Sequence, residues 1–297
     1  MLNNLHTRSD IKEYIVMCLT NICAMKTAFI KSGWVVIINI FTLAAQDSEE
    51  QLVAQSFQAL RIAVTKHFDL LETNFVELVN CLNKYSMNLR FKKQSQAAQE
   101  LLDVCAQKLK DQGSLLNHFV NKQGPYFYQR DIEQMSHYPP QYGIAANFKK
   151  GKTKPTNGND PEPELTSPDS EQIKLSVMKG LWFPIMANLI DLAKDLQNAD
   201  NKVFSMDVLF QVLQHGVDVF DINFWQEIFS QVLLPMLLDI DLAIQSPIRK
   251  NDERGVQFYL QTIQQIVQGF NDFLMQNLDR LSYVVPSYID ILVLFLS

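Results

Sequence analysis

The stretch FIKSGWVVIINIFTLAAQDSEE, Phe29 to Glu50, carries a Gly-Trp pair, then a dense apolar run without a charge, then an abrupt block of acids. How this run is read decides the fold. A membrane span needs roughly 20 consecutive apolar residues, whereas Trp34 to Ala45 is too short and is interrupted by Asn39 and Thr42. Nor does the run alternate strictly, as a half-buried strand would. Trp34, Ile38, Phe41 and Ala45 instead recur at helical steps, and Val35, Ile37 and Leu43 occupy the other face. A helix apolar nearly all round is one covered on several sides. Ser32-Gly33 in front of it reads as the stop of an earlier helix, because glycine tolerates the left-handed conformation that closes a C-terminus. Behind it, Asp47, Ser48, Glu49 and Glu50 set negative charge at the positive dipole end of the next helix.

Working outward, Ile11, Ile15, Cys18, Ile22, Met25 and Phe29 form the stripe of an upstream amphipathic helix, with Asp10 and Glu13 as a box-like start signal. Downstream, Val53, Phe57, Leu60 and Val64 mark a third helix, and Leu71, Phe75, Leu78, Leu82 and Tyr85 a fourth. A fifth, from about Ser95, shows Leu101, Leu102, Cys105 and Leu109. The helix starts near Asp10, Ser48 and Ser95 lie roughly forty residues apart, the period of armadillo and HEAT repeats. One such helix pair cannot bury its own apolar face and needs a neighbour. The expected fold is therefore all-α, a solenoid of armadillo/HEAT-like repeats.

Around Asp111 the periodicity fails, and from there to about Glu171 the chain is rich in Gly, Pro, Asn, Gln, Ser and Lys. This segment is expected to be a largely disordered polar linker. Lys149, Lys150, Lys152 and Lys154 beside its acidic run read as solvated, with contact to an anionic membrane as the alternative. Periodicity resumes with Ile173, Val177 and Leu181, and Pro184 is expected to start or kink a helix. Stripes follow at Val203 to Val217, at Phe224 to Met236 with Pro235 near the end, and at Val256 to Phe270. The organisation predicted is a first block over 1–110, a linker over 111–171, a second block over 172–250 and the start of a further block over 251–297. Ile291, Leu292 and Phe295 are left without a partner where a terminal cap would be polar, so the chain is expected to be a piece of a longer solenoid.

The composition narrows the function. A net charge of -6 argues against a nucleic-acid binder, which needs a surplus of Lys and Arg on some face. The four cysteines lack zinc spacing and read as buried thiols of a reducing compartment. There is no phosphate-binding Gly-rich loop, no Gly-x-Ser-x-Gly elbow and no His-Glu-x-x-His pair, and the five histidines stand singly. Asp239 and Asp241 point about 200° apart on a helix and cannot share a proton or metal; they read as solvated helix-end charges. Trp34, Trp182 and Trp225 read as packing anchors. No catalytic residue, metal or cofactor is expected.

Several segments together resemble one family. Ser9 to Phe68 is similar to the first repeat block downstream of the catalytic domain in the large brefeldin-A-inhibited Arf guanine-nucleotide exchange factors. The family's Ile-(Arg/Lys)-Ser-Gly-Trp motif stands here at Ile30 to Trp34, its apolar helix ending Ala-Ala at Phe41 to Ala45, its acidic cap at Asp47 to Glu50, and its helix ending in Phe at Phe57 to Phe68. GLWFPIMANLIDLA, Gly180 to Ala193, and FWQEIFSQVLLPMLLD, Phe224 to Asp239, resemble the family's second block. The linker is longer than the family's connection, and the catalytic domain with its glutamate finger is not in this chain. The resemblance implies a non-catalytic regulatory and scaffolding region, cytoplasmic and peripheral to Golgi membranes. The partners it implies are an Arf-type small GTPase and other domains of the same exchange factor. The residues expected to meet the GTPase are Lys31, Ser32, Gly33 and Trp34 at the first turn, and Asp47, Glu49 and Glu50 at the second, on one edge of the stack. An unrelated helical-repeat adaptor or transport-receptor-like scaffold is the alternative.

Overall fold

The computed structural model of the protein describes residues 9–25, 29–111, 167–194, 199–249 and 252–296. Among these the chain is helical apart from short turns, and no strand occurs. The helices are α1 (Ser9–Met25), α2 (Trp34–Ala44), α3 (Glu50–Lys66), α4 (Phe75–Ser86), α5 (Lys92–Asp111), α6 (Ser167–Ala193), α7 (Ala199–Gly216), α8 (Ile222–Ile228), α9 (Leu234–Arg249), α10 (Glu253–Gln276), α11 (Leu278–Leu281) and α12 (Val285–Leu296). A π-helical turn, Phe229–Leu233, joins α8 to α9.

Their packing is that of a two-layer solenoid. In one layer α1 lies on α3, α3 on α5, α5 on α7, and α7 on α10. In the other, α2 lies on α4, α4 on α6, α6 on α8, and α9 on α12. The layers are joined within each antiparallel pair, α2 to α3, α4 to α5, α6 to α7 and α9 to α10. One apolar cluster runs through the stack from Cys23 to Ile291, as expected where each pair can bury its face only against the next.

The opening stretch becomes α2 because three neighbours cover it. Trp34, Ile37, Ile38, Phe41 and Ala44 are buried, which outweighs the modest helix propensity of its β-branched residues. Its far end is held from the α4–α5 turn, where Asn88 Nδ2 donates to the Ala45 carbonyl at 2.8 Å. That bond satisfies a carbonyl left without an intrahelical partner. Gly33 does not adopt the left-handed conformation expected of it. It sits in a 3₁₀ turn with φ of −69°, and a Cβ there would lie 3.2 Å from Ile30 Cγ2, so close packing is what makes a small residue suitable.

Pro184, expected to start or kink a helix, and Pro235, expected near the end of one, both lie inside helical runs. Pro184 is within the 27-residue α6, and Pro235 is the second residue of α9. A proline lacks its amide and crowds the carbonyl four residues back. Immediately before Pro235 the chain widens into the π turn of Phe229–Leu233, which relieves that crowding and lets the helical path continue. Burial of Trp225, Phe229, Leu233 and Met236 at 0–1% exposure holds this irregular segment in place.

Other expectations change with the tertiary packing. The stripe assigned to α1 is rotated: Val16 and Cys23 are buried, while Ile22 and Met25 are exposed. On α12 it is Ile289, Val293 and Leu296 that face outward; Ile291 is buried, and Leu292 and Phe295 pack on the core. Asp239 lies mid-helix in α9 and is paired with Lys194 at 3.0 Å rather than being a solvated end charge. His215 is half-buried, with Nε2 2.9 Å from Asp103 Oδ1. Trp34, Trp182 and Trp225 are buried, as packing anchors should be. Residues 167–171, read as linker, belong to α6; residues 112–166, including the lysine cluster, lie outside the described residues.

Candidate functional site

The first repeat places the residues expected to meet a partner at two separate turns. One turn precedes α2 and the other follows it, so a helix of 11 residues separates them, or about 16 Å at 1.5 Å per residue. In an antiparallel stack these turns lie on opposite edges. Lys31, Ser32, Gly33 and Trp34 therefore do not form one site with Asp47, Glu49 and Glu50. Trp34 is 2% exposed and belongs to the core, and its Nε1 finds no acceptor among the described residues. Ser32 is exposed and Gly33 partly so.

The second turn is shaped by Asp47. One carboxylate oxygen accepts from the backbone N–H of Glu49 at 3.2 Å and the other from Lys12 Nζ of α1 at 2.8 Å. Burial pushes the Asp47 carboxyl up, but the Lys12 and backbone hydrogen bonds and the Lys12 charge outweigh it and hold the pKa below the usual value. Glu49 occupies the N-cap position of α3 without a side-chain cap bond. A second tie beside it, Gln51 Nε2 donating to Glu13, fastens α3 to α1. Glu13 thus serves the α1–α3 contact rather than a box at the start of α1. Glu49 and Glu50 are exposed, as Ser32 is at the other turn.

Sequence reasoning missed a neighbouring feature. The outer face of α1 exposes Tyr14 at 63%, Met17 at 45% and Met25 at 74%. These residues follow Asp10 at helical spacing, and the Lys12–Asp47 and Glu13–Gln51 contacts put the acidic turn at the N-terminal end of this row. The signal was available as a second apolar series on α1, since Val16, Leu19 and Cys23 share a face as well as Ile15, Cys18, Ile22 and Met25. Methionine and tyrosine form adaptable contact surface.

No group of three or more His, Cys, Asp or Glu able to hold a metal occurs among the described residues. Burial pushes the Cys81 thiol up to about 12, with a hydrogen bond from Thr42 opposing it, and the Cys23 thiol up to about 11. No helix among the described residues is long and apolar enough to cross a membrane.

Two-layer stacking of these helices defines an all-α helical-repeat protein. Residues 1–62 match a family model described as Mon2/Sec7/BIG1-like, HDS. Brefeldin A-inhibited guanine nucleotide-exchange protein 1 of Arabidopsis thaliana is 25% identical over 232 residues, which are 77% of this chain and 12% of that protein. Protein 4 of the same plant is 24% identical over 307 residues, 97% of this chain and 16% of that protein. Human protein 1 is 30% identical over 115 residues, 37% of this chain and 6% of that protein. No solved structure matches. The chain is thus similar to the large brefeldin A-inhibited guanine nucleotide-exchange proteins, and it spans between 6% and 16% of the length of these relatives.

Proposed function

We propose that this chain is a regulatory and scaffolding region of an Arf guanine-nucleotide exchange factor at the Golgi, which binds an activated Arf and helps control recruitment and exchange. The observation that carries this reading is the coincidence of the HDS match over residues 1–62 with α1–α3, where Glu49 and Glu50 stand exposed at the turn before α3 and α1 exposes an apolar row. An activated Arf presents apolar switch surfaces next to basic residues, and acidic groups at the rim of such a contact steer and orient it. The exchange step itself belongs to a catalytic domain, which the resemblance places upstream. The isolated chain is accordingly expected not to accelerate release of a fluorescent nucleotide from Arf.

Calorimetric titration of the full chain against Arf in both nucleotide states tests the proposal. Tighter binding of the GTP form is expected, and Glu49→Lys with Glu50→Lys should weaken it by about tenfold, equivalent to 1.4 kcal/mol, while the lost first-turn charge lowers stability by only about 1 kcal/mol and leaves the chain folded. Asp47 is left intact, because its bonds to Lys12 and to the Glu49 amide hold the turn. Equal affinity for the two states, or no binding, would remove the GTPase and leave a scaffold for other domains of the same factor.

A further inference from the structure

Two halves of the stack, α1–α5 and α6–α12, are separated in sequence by residues 112–166, yet they meet through a seam of paired polar side chains within a continuous apolar core. Between α4 and α6, Asn83 Nδ2 donates to the Pro184 carbonyl at 3.2 Å and Ser86 Oγ to Asn188 Oδ1 at 2.7 Å. Between α5 and α7, Ser205 Oγ donates to Gln99 Oε1 at 2.8 Å and Gln96 Nε2 to Asn201 Oδ1 at 3.4 Å. Further along α5 lie the Asp103–His215 pair at 2.9 Å, with His215 on α7, and the Lys110–Asp218 pair at 3.2 Å, with Asp218 in the turn after α7. Ser86, Gln99 and Ser205 are 0% exposed, and Asn188 is 4% exposed.

The seam occupies both layers, and its partners follow the same order along each half. A buried polar group left unpaired is costly, whereas a matched pair is not. Ser86 Oγ has the Asn83 carbonyl of its own helix at 2.9 Å as a second acceptor, but a helix pair without a donor opposite Gln99 Oε1 or opposite Asn188 Oδ1 would strand those buried acceptors, and such stranding is how one partner is chosen over another. We propose that residues 9–111 and 167–296 recognise each other as a specific non-covalent pair, so that the stack holds together when the covalent connection through 112–166 is cut. The face of α4 and α5 that α6 and α7 cover is thus matched to the second half of this same chain by polar register as well as by apolar area. The covalent connection raises the effective concentration of one half at the other and is not what supplies the fit.

A protease recognition sequence inserted after Gly158 in the full chain allows the test. After complete cutting, verified on a denaturing gel, the two pieces should co-elute in gel filtration at about 1 μM, the affinity range of an interface worth about 8 kcal/mol; separate elution at that concentration overturns the proposal. Ser86→Ala and Asn188→Ala, which remove little volume, should each weaken the cut pair by about fivefold or more. The double variant should be no worse than the weaker single one, as for residues acting through one contact. Circular dichroism of the uncut variants should match the parent. Full additivity, or no effect of either change on the cut pair, would show that apolar packing alone joins the halves and overturn recognition by register.

Discussion

Replacing Asp47 with Ala removes two interactions at once, the Lys12 ion pair at 2.8 Å and the acceptor for the Glu49 amide at 3.2 Å. An exposed ion pair contributes about 0–1 kcal/mol, while a hydrogen bond to a charged group contributes about 1.5–3 kcal/mol. The Asp47 and Lys12 side chains are 13% and 19% exposed, so the pair lies nearer the second case. We expect Asp47→Ala to cost about 1.5–2.5 kcal/mol and Lys12→Met somewhat less, with the double variant recovering part of the sum. Glu50→Gln, which alters only a first-turn charge, should cost about 0.3–1 kcal/mol. Urea unfolding between pH 2 and pH 7 supplies the assay. The folded pKa of Asp47 is depressed, so its added stability is fully present above the unfolded value of about 3.9. It is lost as pH falls through the lower folded value. The difference between wild type and Asp47→Ala should shrink over that acid window. A loss within about 0.5 kcal/mol, the range of a featureless surface site, or a pH-independent difference, would refute the reasoning.

Three other outcomes follow from the packing. Trp34→Ala should destabilise by about 3–5 kcal/mol, whereas Trp34→Phe should cost far less because the indole N–H has no acceptor among the described residues; both are read from denaturation midpoints. Gly269→Ala brings a methyl to 2.3 Å from the Phe210 ring where α10 crosses α7, and this overpacking of about 1–3 kcal/mol should exceed the gain in helix propensity of about 1 kcal/mol, so the variant should be less stable. Of the four thiols, Cys18 is the one only partly buried, and it should react first with a thiol reagent at pH 8, with Cys81 and Cys105 reacting only on unfolding.

The helical class of this chain, the limits of α2 and α3 and the burial of Trp34, Trp182 and Trp225 were legible in the sequence, because apolar spacing and charge blocks act over one or two turns. The motif from Ile30 to Trp34 and the later Trp-Phe-Pro segment likewise pointed to the family without reference to a neighbour. Which face of α1 turns inward was not legible: it carries two apolar series, and the choice between them depends on where α3 lies. Pro184 read locally as a helix start or a kink and Pro235 as standing near a helix end; packing decides that the helical path continues through both, with a π turn accommodating the second. The candidate site divided for a similar reason. Lys31–Trp34 and Asp47–Glu50 are close in sequence, but the helix between them carries one turn to each edge, and Lys12 draws Asp47 into the α1–α3 contact while Glu49 and Glu50 stay exposed. Pairs such as Ser86 with Asn188 and Asp103 with His215 join positions more than a hundred residues apart. Periodicity orders residues along one helix, and only the stacking of one helix against another decides which polar groups meet.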